Sequence, residues 1–423
     1  MLPRRRSRRG VSWSPRTMTN RHAAAIPFIL VTLLIDVLGI GLLIPVLPEL
    51  VTELAGGNLS TGSAYYGWFI AVYAAMQFVF APVLGGLADR FGRRPVLLLS
   101  LFGSAADYLV MALAPNLTIL FIGRVISGIT GANITAANAY IADVSSPAER
   151  AKNFGLVGAT FGVGFIVGPA LGGVLAGIGI RAPFYAAAGL ALINWLYGYF
   201  ILPESLAPAN RRKFSWSRAN PLGSLRSIGR HLLVRDLTFT YVCIGIAQNA
   251  MVATWVLFTT YRFGWTPVIN GLSLALVGAL SVLVQGVLVR SLVPRLGERR
   301  TMLIGIAASA LSFVIYGASP YGWVLYVGIF VGSIGGLTGP AAQSLISQAV
   351  AANEQGEVQG ALASLLSLTG VVGPLAGTML FAYFTSGNAP IVLPGAPYYL
   401  GSGLLVVAFA VAARAFARFP SRT

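Results

Sequence analysis

The sequence predicts an all-α membrane protein, with twelve transmembrane helices arranged as two pseudo-symmetric six-helix bundles. Three observations support this fold class: the composition, a succession of long apolar windows and an internal repeat. Of the 423 residues, 56% are hydrophobic and only 10% are charged. Soluble domains carry about 25% charged residues, so this chain has too little polar surface for a water-soluble globule.

The apolar windows are long enough to cross a bilayer. A membrane-spanning helix needs about 20 mostly apolar residues, whereas the strands of a membrane β-barrel are shorter and alternate in polarity. The windows do not alternate, so each of them predicts a helix. We expect twelve spans, at 25–48, 64–87, 96–114, 118–142, 154–178, 183–202, 238–261, 268–290, 301–318, 321–348, 359–384 and 398–417.

The basic residues indicate how the chain is oriented. Of the 29 lysines and arginines, all but Arg124, Arg181 and Arg262 fall in the terminal tails and in every second loop. Because cytoplasmic loops carry the excess of basic residues, we expect a multi-pass protein of the cell (inner) membrane with both termini in the cytoplasm. The net charge of +17 then comes from basic cytoplasmic loops, which can also contact anionic lipid head groups, so we expect no nucleic-acid partner. We also expect a monomer. Translation that starts at Met18 is an open alternative.

The longest inner loop is rich in proline and arginine and separates two groups of six spans. Because six is an even number, both groups have the same orientation in the membrane. We therefore divide the chain into a basic cytoplasmic tail (1–24), an N-terminal bundle (25–202), a cytoplasmic linker (203–236), a C-terminal bundle (237–417) and a second tail (418–423).

An internal repeat at a fixed offset of 205 residues supports the two bundles. The offset maps Arg90 onto Arg295, and it maps the glycine-proline pair at Gly168 onto the pair at Gly373. Transporters built from repeated bundles bind their substrate near the bilayer midplane, between the halves, and expose it to each side in turn. The repeat therefore predicts a central cavity between two related bundles.

The deeply placed charged residues of the predicted spans lie in the first half only. The repeat maps each of them onto a neutral residue: Asp36 onto Tyr241, Asp107 onto Ser312 and Arg124 onto Ile329. We infer that the proton chemistry belongs to the N-terminal half and that the C-terminal half mainly shapes the cavity.

Asp36, Asp107 and Arg124 are the candidate proton-coupling residues. A charge at the bilayer centre costs about 2.5–3.5 kcal/mol on insertion scales, so its presence indicates a function. Asp36 is expected near the midplane, where burial favours the neutral acid and allows a proton to be bound and released. The sequence leaves open whether Asp36 is instead a structural acid paired with Arg124, and whether Asp107 only orients a neighbour.

Polar and aromatic side chains within the spans are candidates for substrate binding. A pocket with a few polar groups among apolar and aromatic ones suits an amphipathic ligand. The alternative is that each of these groups only joins neighbouring helices. The predicted substrate-binding residues are Tyr73, Gln77, Asn133, Asn138, Gln248 and Gln343.

A loop rich in glycine and arginine follows the second span. Gly85 allows close contact between helices, and Asp89 is expected to accept N–H bonds at a helix start. The arginines are expected to clamp an acid such as Glu149 on the next inner loop. The predicted cytoplasmic gate consists of Gly85, Asp89, Arg90, Gly92, Arg93, Arg94, Glu149 and Arg150.

A second glycine pattern lies in the fifth span. Its glycines let helix backbones touch, and its proline bends the helix and frees a carbonyl. The pattern consists of Gly164, Gly168, Pro169, Gly172 and Gly173.

These patterns resemble the major facilitator superfamily. The loop at 85–95 is similar to the signature loop of that superfamily, which implies a cytoplasmic gate latch. The pattern in the fifth span resembles its antiporter motif, which implies export. The motif Gly123-Arg124-x-x-x-Gly128 is similar to its proton-linked arginine motif.

Within that superfamily the chain resembles the bacterial tetracycline/proton antiporters of the twelve-span drug-efflux class. Those proteins place a histidine where this chain has Ser281, and an acid in the ninth span, where this chain has only small residues near Ser309. Both positions are tied in that subgroup to proton and metal–tetracycline handling, so the substrate stays open. The resemblance is carried best by the segments that start at Asp36, Tyr73, Asp89, Asp107 and Ser127.

We therefore expect a proton-coupled secondary active exporter of small amphipathic drugs that works by alternating access, with tetracycline-class antibiotics among the candidates. Its partners are then the bilayer, the small-molecule substrate and protons. Two alternatives stay open: a symporter that imports a sugar or metabolite, and a non-transporting receptor or scaffold. We expect no enzyme activity, cofactor or metal, because the chain has no phosphate-binding loop and only two histidines and one cysteine.

Overall fold

The computed structural model describes residues 15–131, 133–146, 149–212, 214, 231–350 and 354–419; the side chains at 15–25, 133, 151, 356 and 357 lie outside that description. The described residues form helices joined by short turns, and no strand occurs among them. The order of these helices follows the predicted order of spans.

The N-terminal half contains eight helices. The short helix α2 and the paired helices α5 and α6 result from breaks within predicted spans, whereas each of the others is continuous. The bounds are α1 (Pro15–Leu43), α2 (Leu47–Leu54), α3 (Leu59–Phe91), α4 (Arg93–Leu113), α5 (Leu117–Thr130), α6 (Asn133–Val144), α7 (Arg150–Ala176) and α8 (Ala182–Ile201).

The described residues of the C-terminal half form seven α-helices, and a 3₁₀ turn at Pro208–Asn210 precedes them. A π-helical segment, Val284–Leu288, and a 3₁₀ segment, Ile334–Leu337, interrupt its spans. The bounds are α9 (Leu232–Phe263), α10 (Pro267–Leu283), α11 (Val289–Ala318), α12 (Gly322–Ser333), α13 (Thr338–Gln348), α14 (Gln355–Thr385) and α15 (Ala396–Arg418).

The predicted number of spans is confirmed. Eleven helical stretches of the described chain are long and apolar enough to cross a bilayer, and the longest of them, Pro267–Ala318, has 52 residues. At 1.5 Å per residue such a helix would measure about 78 Å, far more than the roughly 30 Å of a bilayer core. The stretch is in fact two spans, because the backbone turns at Gly297, where φ is 77° and ψ is 158°.

The bounds differ from the prediction at the first span. The helix α1 begins at Pro15, within the segment 1–24 that the sequence assigns to the tail, although its apolar part begins at Ile26. It ends at Leu43 rather than at residue 48, because a turn that includes Pro45 follows. A proline cannot donate the backbone bond that would continue the helix.

The fourth and tenth spans are broken at equivalent places, as the repeat requires. The backbone leaves the helix at Gly131, between α5 and α6, and it tightens to a 3₁₀ segment around Gly336, between α12 and α13. The carbonyl that the first break frees is satisfied, because Gln77 Nε2 donates to Gly131 O at 2.9 Å. Irregular backbone at membrane depth is tolerated only where protein or a water-filled cavity surrounds it, so both breaks mark cavity walls.

The two halves meet along α3 with α14 and along α7 with α10. We call the end that carries most of the basic loops the basic end. At the other end, Ser60 Oγ donates to Ala382 O at 2.7 Å, and a Cβ added to Gly173 would lie 2.5 Å from Pro267 O. At the basic end, a Cβ added to Gly85 of α3 or Gly155 of α7 would meet no atom within 4 Å. The halves are therefore packed together at one end and these glycines stand free at the other.

Candidate substrate and proton site

A small charged cavity lies inside the N-terminal half. Its volume is about 150 Å³; α1, α3, α4 and α5 supply most of its walls, and α2 and α6 contribute Leu47 and Ile134. Asp36 is buried on α1 and faces this space, together with Arg124 of α5. The side chains that give it its chemistry are Asp36, Tyr66, Tyr73, Gln77, Tyr108 and Arg124.

Asp107 and Arg124 form an ion pair between α4 and α5. The Asp107 side chain is fully buried and the Arg124 side chain is 11% exposed. The guanidinium also lies over the ring of Tyr73, with its carbon 5.3 Å from the ring centroid, an arrangement that a cation and an aromatic face favour. The partner of Arg124 that the sequence left open is thus Asp107, and Asp36 lies in the cavity beside this pair.

The predicted polar residues of α3 reach the charged cavity. Gln77 Nε2 lies 3.4 Å from Tyr73 Oη and donates to the freed carbonyl of Gly131. Asn138 lies on α6 but lines neither this cavity nor the one described next; of α6, only Ile134, in its first turn, lines the charged cavity. The side chain of Asn133 lies outside the described residues.

A larger, neutral cavity lies inside the C-terminal half. Its volume is about 720 Å³, and no acidic residue, lysine, arginine or histidine is among the residues that line it. The two predicted residues of this half, Gln248 and Gln343, both line it; Gln343 Nε2 also donates to Gln359 Oε1 at 2.7 Å. Ser281 and Ser309, where the sequence departs from the subgroup it resembles, face the same space.

The two cavities occupy equivalent places in the two halves. Ten of the 14 residues that line the charged cavity map, at the offset of 205, onto residues that line the neutral one. At these positions Ile40 becomes Gly245 and Ile134 becomes Gly339, so the second cavity gains space. The charges are lost as the repeat predicts, since Asp36 maps onto Tyr241 and Arg124 onto Ile329, and both of these replacements line the neutral cavity.

Sequence reasoning missed several lining residues. Tyr66 precedes Tyr73 by seven residues and therefore lies on the same face of α3, so helical spacing could have identified it. Tyr108 follows Asp107 directly, and its ring packs on α1, because a Cβ added to Gly39 would lie 3.2 Å from it. Ser312 was named only as the neutral counterpart of Asp107; no pattern singled it out as a cavity residue.

The predicted gate is held by acids other than the one expected. Arg93 pairs with Asp89 at 2.6 Å and with Asp143 at 3.0 Å. The expected clamp on Glu149 is wrong for the described chain, in which no ion pair joins Glu149 to an arginine of this loop. Glu149 instead accepts a bond of 2.7 Å from Ser146 Oγ, three residues earlier in the sequence. Asp143, at the end of α6, is the acid that contacts Arg93.

The start of α4 is capped by Glu204 rather than by Asp89. The helix α3 continues to Phe91, so Asp89 lies in its last turn and not ahead of α4. Glu204, which follows α8, accepts the backbone N–H bonds of Arg93 at 2.8 Å and Arg94 at 3.2 Å. A Cβ at Gly92 would collide with this carboxylate, and Gly92 has φ 112°, so glycine is required there.

The other gate residues make weaker contacts. The Arg90 guanidinium carbon lies 4.9 Å from the ring centroid of Phe91, and Arg150 donates to Ala142 O at 3.3 Å. The close helix contact expected at Gly85 is not made in this arrangement, because the space around it is open.

The C-terminal half has a contact at the positions equivalent to the gate, but it is a hydrogen bond rather than an ion pair. The offset maps Arg93 onto Glu298 and Asp143 onto Gln348, and these two residues are in contact: Gln348 Nε2 donates to Glu298 Oε1 at 3.1 Å. Ser344 Oγ donates to the same oxygen at 3.2 Å. A backbone N–H and these side chains lower the pKa of Glu298 from its usual value. An ion pair on one half is thus replaced by a hydrogen-bonded carboxylate on the other.

The glycine pattern of α7 forms the seam that the sequence predicts. A Cβ at Gly164 would lie 2.5 Å from Val37 Cγ1, and one at Gly168 would lie 2.8 Å from Gly41 Cα. Both contacts are with α1, the helix of Asp36. On the other face, Gly173 meets Pro267 at the start of α10. The pattern therefore joins α7 to α1 within its half and to α10 across the halves.

The chain matches the family model described as Major Facilitator Superfamily over residues 29–374 and 286–422. It is 41% identical to the tetracycline resistance protein, class C, of Escherichia coli over 377 residues, which cover 89% of this chain and 94% of that protein. It is 32% identical to multidrug resistance protein 2 of Bacillus subtilis (strain 168), covering 92% of this chain and 96% of that protein.

Solved structures agree on the fold. The human organic anion transporter MFSD10 (TETRAN) matches with a TM-score of 0.68 and 24% identity, over 92% of this chain and 99% of that one. This likeness bears on the fold alone. The fold and the relatives are those of membrane transporters of small molecules.

Proposed function

Because the chain belongs to the major facilitator superfamily, we propose that it is a proton-coupled exporter of small amphipathic drugs, with tetracyclines as the first candidates. Its similarity to proteins named for tetracycline and multidrug resistance supports export as the direction. The observation that carries the proposal is the buried carboxyl of Asp36 in the wall of an internal cavity. An acid in that place can exchange a proton with the cavity and respond to the charge of a bound ligand.

Asp36 is the proton carrier in the proposed cycle. While the halves are open to the cytoplasm, Asp36 is ionised and the drug binds. After the cavity opens to the outside, a proton binds an Oδ atom of Asp36 and the substrate leaves. With Asp36 protonated and neutral, the carrier then returns to the inward-facing state. Each proton that enters the cell across a potential of 100 mV supplies about 2.3 kcal/mol.

The pair of Asp107 and Arg124 has a supporting role in this cycle. Its two charges cancel, so it joins α4 to α5 without adding net charge to the cavity. The Arg124 guanidinium also sits at the edge of the space that Asp36 faces. We therefore assign proton exchange to Asp36 and positioning to the pair.

The packing of the halves fits alternating access. If the basic end is cytoplasmic, as the distribution of arginines predicts, the packed end faces outward and the free end faces the cytoplasm, so the described arrangement is inward-facing. The gate of Arg93, Asp89 and Asp143 then lies on the cytoplasmic side, where it closes the cavity once the halves tilt. The glycine seam of α7 lets them tilt without large side chains in the way.

The remaining assignments follow from the same picture. We place the protein in the cell (inner) membrane with both termini in the cytoplasm, acting as a monomeric carrier rather than as an enzyme. Its partners are the bilayer, the drug and protons, and its basic loops serve orientation rather than nucleic-acid binding.

Inside-out membrane vesicles test the proposal. Vesicles from an efflux-deficient bacterium that expresses the full chain should accumulate tetracycline when their lumen is acidified, and nigericin should abolish this uptake. Vesicles without the chain serve as the control. An importer would instead accumulate its substrate in right-side-out vesicles, and a receptor would show no gradient-driven flux in either kind. Absence of pH-driven uptake for tetracycline and for a panel of other amphipathic drugs would contradict the proposal.

A further inference from the structure

We propose that the neutral cavity binds the drug in its metal-free form, through amide and hydroxyl groups, so that transport requires no divalent cation. The inference rests on the proposed function and specifies the substrate class of the same site. It starts from the lining of the C-terminal cavity, whose polar side chains are neutral amides and hydroxyls. Six of them are Gln248, Gln285, Gln343, Ser281, Ser309 and Ser312.

The neutral lining disfavours a bound cation. Hard divalent cations such as Mg²⁺ are held by carboxylates and phosphates and keep much of their water. A net charge moved into surroundings of low dielectric without an opposite charge carries a large desolvation cost. Among the residues that line this cavity none is charged, so a positively charged metal–drug chelate would find no compensation there.

The charged cavity does not offer a substitute site. Of the acids in the described membrane spans, Asp107 is paired with Arg124, and Asp36 shares its cavity with the same guanidinium. A metal cation beside Asp36 would therefore also face a positive group. The space is also too small, since it measures about 150 Å³ whereas drug-sized ligands occupy pockets of about 300–1,000 Å³.

The neutral cavity suits an uncharged ring system instead. Its volume of about 720 Å³ is in the range for a drug-sized ligand. Trp255 and Tyr316 form an aromatic wall, with ring centroids 5.2 Å apart and planes at 81°. The amides can both donate and accept, and the serines can do the same. Together these groups match a planar molecule with hydroxyl, carbonyl and amide groups along its edge and no metal between them.

Proteoliposomes that contain the purified full chain provide the test. Uptake of tetracycline into an acidified lumen is measured with magnesium chloride in one arm and with EDTA in the other. We expect the two initial rates to agree within about twofold. A rate in EDTA that is lower by about tenfold or more would overturn the inference while leaving the proposed function standing. Absence of tetracycline uptake in both arms would overturn the inference, and the proposed function would fail with it if the panel of other amphipathic drugs also gave no uptake.

A variant pair sharpens this test. Ser309→Asp places a carboxylate in the neutral cavity, so uptake in EDTA should fall by about tenfold and magnesium should restore part of it. Ser309→Ala removes the hydroxyl without adding charge, and its two arms should remain equal. If Ser309→Ala itself became dependent on magnesium, the cation would not be acting through the cavity charge, and the inference would be wrong.

Binding gives a readout that does not depend on transport. Trp255 lines the neutral cavity, so tetracycline should quench its fluorescence with the same midpoint in magnesium and in EDTA. Trp255→Phe supplies the background from the other tryptophans. Quenching that needs magnesium contradicts the inference even in a variant or preparation whose transport is impaired.

Discussion

The two cavities are built from equivalent positions of a repeated bundle, and they differ in charge and in size. In the N-terminal half, Asp36, Arg124 and two isoleucines occupy positions that hold Tyr241, Ile329 and two glycines in the C-terminal half. The first cavity measures about 150 Å³ and the second about 720 Å³. We therefore propose that one duplicated site serves as a proton site in the N-terminal half and as a ligand site in the C-terminal half.

The contacts at the basic end repeat the same difference on a smaller scale. Arg93 and Asp143 form an ion pair, whereas at the equivalent positions the Gln348 amide donates a hydrogen bond to the Glu298 carboxylate. In both comparisons the N-terminal half keeps opposite charges together and the C-terminal half does not. Exchanging residues between the halves therefore tests which differences matter for function.

The largest expected effect, a loss of stability, comes from replacing Arg124 in the N-terminal half by isoleucine, the residue at the equivalent position 329 of the C-terminal half. Arg124→Ile leaves Asp107 buried without its partner, which should cost about 3–5 kcal/mol in the free energy of unfolding. The measurement is thermal unfolding of the purified chain in detergent, together with the amount of folded protein in the membrane.

The double variant decides whether the lost stability belongs to the pair. Asp107→Ser combined with Arg124→Ile installs the neutral residues of the other half at both positions and removes the unpaired charge. It should recover most of the stability. A double variant that is as unstable as Arg124→Ile would mean that the guanidinium acts mainly through Tyr73 or Asp36.

A second exchange fills the neutral cavity with a side chain from the charged one. Gly339→Ile installs the residue found at position 134, and a Cβ there would meet only Tyr241 Oη, at 3.6 Å. The fold should persist while the apparent affinity for tetracycline falls by about tenfold, measured by quenching of Trp255. Gly403→Ile on α15 is the matched control, because a Cβ there meets nothing within 4 Å and it lies outside the cavity. Equal affinity for tetracycline in both variants would mean that the drug does not bind in the neutral cavity.

The gate contacts should have a smaller effect on the rate of transport. Removing the ion pair with Asp143→Asn should slow uptake by about threefold to fivefold, because partly exposed ion pairs contribute up to about 1 kcal/mol. Glu298→Gln on the other half should change the rate by less than about twofold. A double-mutant cycle of Arg93→Gln and Asp143→Asn measures their coupling; additive effects would show that the pair does not act as a unit.

The smallest expected effect is a pH dependence at Glu298. The pKa of this group is lowered in the folded chain from its usual value of 4.5, so its ionised form stabilises the contact with Gln348. This contribution is complete above pH 4.5 and is lost as the pH falls through the lowered pKa. Between about pH 5 and about pH 3, the melting temperature of the native chain should therefore fall more than that of Glu298→Gln, by less than about 2 °C because the group is only partly buried. Parallel curves would argue against the contact.

Features that depend on one stretch of chain were predictable from the sequence. Hydropathy located the spans, and the offset of 205 paired residues of one cavity with residues of the other. Both kinds of information can be read from positions along the chain. The burial of Asp36, Asp107 and Arg124 followed from their place in apolar windows. Gln248 and Gln343 proved to line one cavity for the same reason.

Features that depend on where separate segments converge were not predictable. Glu204 caps α4 from a position 111 residues away from Arg93, and nothing in its local pattern distinguishes it from other loop acids. Glu149 was a reasonable partner by proximity to the next loop, yet the end of α6 places Asp143 closer to Arg93. Ser312 carries no charge or motif, and only the packing of α11 against the broken tenth span reveals it as a cavity residue.

Proton-driven uptake by Asp36→Asn, compared with Tyr241→Phe at the equivalent position, tests the central claim most directly. In proteoliposomes with an acidified lumen, Asp36→Asn should lose pH-driven accumulation of tetracycline. Tetracycline should still bind to this variant and quench the fluorescence of Trp255, because the proposed ligand site lies in the other half. Tyr241→Phe should retain gradient-driven accumulation. If Asp36→Asn accumulates the drug at the rate of the native chain, the carboxyl does not carry the proton and the division of labour between the two cavities is wrong.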